Sequence, residues 1–193
     1  SQELACDIGR DLFWEIARQV RKLSNKLKAM PEDLQSLPRM LADKYFCNVS
    51  ILQSLPDSWA IDQVFPIMPI HRLQLKPTCE ATLQDITCDS DGKIDRFVST
   101  AEFREFLPLH EFKEGKPYYI AAFLVGAYQE ILGDLHNLFG DTNAVHIVVN
   151  DKGGYDIAQV VNGETAEEVL EYVEFNPKEL VRTMEKWVST AVK

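Results

Sequence analysis

The sequence has no run of basic residues, no closely spaced pair of cysteines and no long apolar stretch, and each absence removes a class of protein. Lys and Arg number 20 against 30 Asp and Glu, a formal net charge of -10. With no cluster of cations to neutralise a row of phosphates, neither nucleic acid nor an anionic membrane is an expected partner. Cys6, Cys47, Cys79 and Cys88 show neither C-x-x-C spacing nor the density of a disulfide scaffold. A reducing, cytoplasmic compartment is the expectation. The longest apolar run, around residues 119–127, falls short of the roughly 20 residues that cross a bilayer. Nothing signal-like opens the chain, so the glycosylation pattern Asn48-Val49-Ser50 is read as chance. Ser1 lies immediately inside a helical pattern without an initiator methionine, which leads us to expect a fragment.

What is present is ordinary for a globular protein: 193 residues, 46% hydrophobic and 26% charged. That suffices for one sizeable core or two small ones. Over residues 4–27, Leu4, Ile8, Leu12, Ile16, Val20, Leu23 and Leu27 recur every three or four positions with Arg and Lys between them, the pattern of an amphipathic helix. A break at Met30-Pro31 predicts a second helix to about residue 44, bent or split at Pro38.

Beyond Tyr45 the texture changes to short segments rich in Val, Ile, Phe and Tyr, punctuated by Pro, Gly and Asp. Predicted strands cover 46–52, 62–68, 81–88, 96–98, 118–125, 144–150 and 155–161, with a tight turn at Asn150-Asp151-Lys152-Gly153-Gly154 joining the last two. Tyr128, Ile131, Leu132, Leu135 and Leu138 share a helical face, predicting a helix over 127–139. Helix returns at the end, where Thr165-Ala166-Glu167-Glu168 and Asn176-Pro177-Lys178-Glu179 each have the form of a capping box. The expected class is therefore α+β: a mostly antiparallel, sandwich-like β region flanked by a helical hairpin and by C-terminal helices.

The stretch richest in chemistry is Asp85-Ile86-Thr87-Cys88-Asp89-Ser90-Asp91-Gly92, where a strand ends in a turn bearing a thiol and carboxylates. Three uses fit: a thiol proton donor beside a carboxylate that grips a cation, a calcium loop, or a plain polar turn, which is the commonest outcome of such spacing. Calcium fits poorly, because Thr87 and Val98 would stand where the first carboxylate and the closing bidentate ligand belong. The four histidines, His71, His110, His136 and His146, show no metal spacing. By composition alone Cys88 is more often a small core residue and Tyr128 more often packing.

Three motifs taken together go further. Gln53-Ser54-Leu55-Pro56-Asp57-Ser58-Trp59-Ala60-Ile61-Asp62-Gln63, then the stretch from Asp85 to Gly92, then Gly126-Ala127-Tyr128-Gln129-Glu130-Ile131-Leu132-Gly133-Asp134-Leu135-His136-Asn137-Leu138-Phe139-Gly140 occur in order. In words and spacing they resemble the carboxyl-terminal third of the biosynthetic arginine decarboxylases, from about residue 35 onward. The resemblance implies residues 1–45 as part of an inserted helical bundle, 46–162 as the C-terminal β domain and 163–193 as the start of a C-terminal helical region. The family's pyridoxal-phosphate-binding (β/α)8 barrel, with its cofactor lysine, would be absent from this chain.

Carried over residue by residue, the resemblance makes Cys88 the catalytic thiol that reaches the cofactor across a dimer interface. Asp89 becomes the carboxylate that meets the distal cation of the substrate. Tyr128 becomes the phenol that bonds the cofactor phosphate. Asp62 aligns with a second substrate carboxylate when a one-residue gap is allowed. The implied whole protein converts L-arginine to agmatine and CO2 for polyamine biosynthesis as a homodimer or higher oligomer, and the resemblance admits magnesium as a further cofactor. The rival readings are a decarboxylase for another basic amino acid and a non-catalytic interaction module built on the β domain. Glu130, His136 and Asn137 lie in the third motif without a derivable role.

Overall fold

The structure, a computed structural model, describes residues 2–100 and 103–192. Helix α1 (Gln2–Ser24) follows the periodicity predicted for it, with Ala17 and Ser24 buried. Arg21 near its end reaches Glu80 at 3.1 Å and ties the helix to the sheet. The second predicted helix does not form as one piece. A 3-10 turn (Glu32–Leu34) precedes the five-residue helix α2 (Leu37–Leu41), which has Pro38 in its first turn. Proline lacks the N–H that would continue a helix arriving from its amino-terminal side, so the helix restarts there instead of running through.

Strand β1 (Asp43–Phe46) follows, three residues earlier than predicted; of the predicted strand over 46–52 only Phe46 lies in a sheet, and residues 51–52 open a helix. The Ser50 hydroxyl accepts a hydrogen bond from the Gln53 amide at 3.3 Å and caps α3 (Ile51–Ser54), and Pro56 opens α4 (Pro56–Ala60). A serine cap and a proline at the first helical position are both local helix-start signals, and they override the β-branched composition.

Of the next five strands, β2 (Ile67–Pro69), β3 (Cys79–Gln84) and β6 (Ile120–Ala122) are shorter than the sequence suggested, and β4 (Lys93–Ile94) and β5 (Leu107–Leu109) lie outside the predicted spans. Residues 96–98 contribute a single bridge from Phe97 to Arg104, and β5 had no counterpart in the sequence pattern. Strand β3 is the hub of a four-stranded sheet, paired with β1 in parallel and with β4 and β5 antiparallel. β2 and β6 form a separate antiparallel pair. The class is α+β, and the main sheet is mixed because β1 enters parallel to β3.

Ile51, Phe65, Leu83, Phe97, Leu107 and Leu109 form the buried centre between this sheet and α3. Side chains of this size contribute about 1.5–3 kcal/mol each when fully buried. The core therefore sits directly beneath the turn that leaves β3. Helix α5 (Ala127–Leu132) occupies half of the predicted 127–139 span and stops at Gly133.

β7 (Ala144–Val149) and β8 (Tyr155–Val161) form the predicted hairpin, closed by an Asn150 side chain that accepts from the amides of Lys152 and Gly154. Gly153 supplies the left-handed φ of 74° that the turn needs. Helix α6 (Ala166–Tyr172) has a complete capping box between Thr165 and Glu168, and α7 (Pro177–Ala191) is capped by the Asn176 side chain on the Glu179 amide. The apolar stripes of α1 and α7 and both faces of the β7–β8 hairpin are exposed. Among the described residues no helix is long and apolar enough to cross a membrane.

Candidate functional site

Strand β3 ends at Gln84, and the next residue sets the shape of the turn beyond it. Asp85 is buried, and its carboxylate accepts from the amide of Ile51 at 2.9 Å, the amide of Thr87 at 2.9 Å and the hydroxyl of Thr87 at 2.7 Å. Its own amide donates to the Gly92 carbonyl at 2.8 Å, closing the loop at its base. A buried carboxylate is tolerated only when its oxygens are satisfied in this way. A Cβ at position 92 would collide with that carboxylate, so the turn requires glycine there for space. Fixed below, the turn holds Cys88 and Asp89 outward, and both are exposed.

The second part of the site grows from α5. Gly126, with φ of 78°, turns the chain into the helix, and Tyr128 projects from its first turn with 77% of its surface exposed. Gln129 points the other way and is buried. Its amide nitrogen donates to the Asp57 carboxylate at 2.5 Å, and its carbonyl oxygen accepts from the Asp57 amide at 3.0 Å, locking α5 to α4. Gly133 then lies so close to the Gln53 carbonyl of α3 that no side chain fits. At the far end of the next loop, Asp141 accepts from the Gln53 side chain at 2.9 Å, while its amide donates to Glu164 at 3.0 Å. Helix α3 is thus the common support: its first amide holds Asp85, and Gln53 backs the loop 133–141 by close packing on Gly133 at one end and a hydrogen bond to Asp141 at the other.

Between those anchors the chain takes left-handed φ values at Asn137 (56°) and Leu138 (59°). The result brings the loop onto the turn. His136 Nε2 lies 3.2 Å from Asp89 Oδ2, and Asn137 Nδ2 donates to Cys88 Sγ at 3.6 Å. Neither residue had a role from sequence. The only signal there was their place inside a long motif; the contact itself spans about fifty positions and leaves no local pattern.

Asp62 is placed differently. It follows α4 in a left-handed conformation (φ 55°), is exposed, and lines a cavity of about 120 Å³ with Trp59, Asp91, Lys93 and Arg96. Neither Cys88 nor Asp89 lines that cavity. Asp62 therefore shares a cavity with Asp91 and two cations, whereas Cys88 and Asp89 meet the loop. Among the described residues no group of three His, Cys, Asp or Glu side chains could hold a metal ion. Toward a phosphorylated cofactor the chain offers the exposed Tyr128 phenol, a neutral donor suited to a phosphate oxygen.

Comparison with known proteins shows what the chain is similar to. A biosynthetic arginine decarboxylase from Bacteroides thetaiotaomicron is 62% identical over 182 residues, covering 94% of this chain and 29% of that protein. One from Rhodopirellula baltica is 53% identical over 182 residues, covering 94% and 27%. Residues 166–192 match the family described as the arginine decarboxylase C-terminal helical extension. The chain belongs to the carboxyl-terminal part of the biosynthetic arginine decarboxylase family.

The crystal structure of the biosynthetic arginine decarboxylase from Campylobacter jejuni agrees in fold, with a TM-score of 0.66 and 32% identity over 90% of this chain and 31% of that one. The chain spans about 29% of the length of the curated relatives it matches. Among the described residues there is no (β/α)8 barrel.

Proposed function

We propose that this chain supplies the substrate-facing β part of an enzyme that converts L-arginine to agmatine and CO2, in the cytoplasm, as a step toward polyamines. The observation that carries the reading is the exposed Cys88-Asp89 pair, held outward by a buried and fully hydrogen-bonded Asp85.

Asp89 receives the guanidinium of arginine, a planar and permanently charged group that pairs well with a carboxylate. Asp62, with Asp91 beside the same cavity, provides further negative charge on the substrate's approach. The Cys88 thiol holds a proton at Sγ and delivers it to the substrate Cα after carbon dioxide has left, the role of a general acid. Tyr128 donates its phenolic hydrogen to the cofactor phosphate. Pyridoxal phosphate, held chiefly by the barrel of the whole enzyme, supplies when bound the electron sink that lets the carboxylate bond break.

Exposure of Cys88 and Asp89 on a chain without a barrel fits service to a neighbouring subunit's site. The test uses the full-length parent. Arginine-dependent release of carbon dioxide is expected, and an inert protein with excess pyridoxal phosphate overturns the assignment. Mixing Cys88→Ala subunits with subunits lacking the cofactor lysine should restore about a quarter of the sites under random exchange, since one site in each mixed dimer is intact. Parents that stay dead after verified exchange exclude the shared site.

A further inference from the structure

Two consecutive residues of the loop 133–141 face two consecutive residues of the turn: Asn137 meets Cys88, and His136 meets Asp89. We propose that His136 and Asn137 are positioning residues, Asn137 aiming the Cys88 proton and His136 orienting the Asp89 carboxylate toward a guanidinium. The proposal rests on the decarboxylase reading and deepens it.

The geometry carries three arguments. First, the Asn137 amide donates to Sγ, so the sulfur acts there as acceptor and its own S–H is left free for another partner on this exposed turn. Second, His136 engages one carboxylate oxygen, Oδ2, through Nε2, and a guanidinium takes the other. The opposite ring nitrogen, Nδ1, is buried without a hydrogen-bond partner among the described residues, so the ring makes its directed polar contact through Nε2. Third, the loop bears two successive residues in left-handed conformation, Asn137, which tolerates it, and Leu138, for which it is costly and persists only where surroundings enforce it. Those surroundings are the two anchors on Gln53.

Kinetics of the full-length parent separate the two roles. Asn137→Asp keeps the size and the tolerance for left-handed backbone but removes the N–H donor; it is expected to lower kcat about tenfold with KM changed less than about twofold. His136→Ala is expected to raise KM for arginine about tenfold, and His136→Gln, which keeps a donor, to return it to within about threefold of the parent. Equal behaviour of His136→Ala and His136→Gln, or a kcat for Asn137→Asp equal to the parent's, overturns the corresponding role.

Two readouts on the 193-residue chain do not depend on activity. Alkylation of the Cys88 peptide, followed by mass spectrometry, should slow about fivefold in Asn137→Asp while Cys6 is unchanged, because a carboxylate replaces an N–H beside the sulfur. The His136 imidazole resonances should move on Asp89→Asn. An unaltered Cys88 rate overturns the Asn137 role, and unmoved resonances overturn the His136 role. An inactive parent with both readouts positive overturns the function and leaves the positioning intact.

Discussion

The carboxylate of Asp85 occupies the space that any side chain at Gly92 would need, and the two residues are also joined by a 2.8 Å backbone hydrogen bond. One buried acid thereby shapes a turn, caps nothing at the surface, and holds the first amide of α3. The chemistry of the site is exposed, but its precision comes from below.

Removing that support should be costly. Asp85→Ala leaves the buried Ile51 amide unpartnered and empties the space beneath the turn, an expected loss of about 2–4 kcal/mol. Urea unfolding of the chain checks this, and a loss below about 1 kcal/mol, roughly the effect of a surface substitution, would contradict the structural role. Gly92→Ala should destabilise by a similar route.

In the full-length parent, Cys88 and Asp89 should divide kcat from KM. Cys88→Ala removes the proton donor and leaves the grip on the substrate, so kcat falls with a smaller change in KM, and product appears in which the cofactor has been aminated abortively. Asp89→Ala removes a charge-assisted contact worth about 1.5–3 kcal/mol, on the order of ten- to a hundredfold in binding, and should raise KM. Identical effects on both constants would refute the division.

Tyr45 supplies a test of the sheet. Loss of water around its ring, reinforced by the neighbouring Cys79, pushes its phenol up to about 12, and its hydroxyl donates to the His110 carbonyl at 2.9 Å. The folded state thus favours the protonated form. Its contribution is complete below about pH 10, where the unfolded phenol is still protonated, and is lost as pH rises toward 12. Tyr45→Phe should therefore show a weaker fall in stability between about pH 10 and pH 12 than the parent chain. Equal slopes would exclude it.

The cysteines should react in an order set by burial. Cys47 packs against the core, and loss of water pushes its thiol up, whereas Cys6 is exposed on α1. At about pH 8 iodoacetamide should label Cys6 at least about tenfold faster than Cys47 in the folded chain, and urea should erase most of the gap. A gap that survives unfolding would point to local sequence instead of burial.

Local chemistry in the sequence determined a good deal of this protein: the apolar repeat of α1, the capping box from Thr165 to Glu168, the Asn150–Gly154 turn and the motifs that carry Cys88, Asp89 and Tyr128. These signals are legible because the interacting groups lie within a few positions of one another. The same reasoning failed over residues 46–52, where β-branched composition suggested a strand and Ser50 and Pro56 made helices.

Only the tertiary structure decided that β1 runs parallel to β3, that Asp85 supports α3, and that His136 and Asn137 close on Asp89 and Cys88. It also set Asp62 in a cavity whose lining includes neither Cys88 nor Asp89, a division invisible to alignment. Such pairings join residues some 34 to 49 positions apart. They depend on which surfaces the core brings together, a free energy summed over the whole chain that no short stretch of sequence contains.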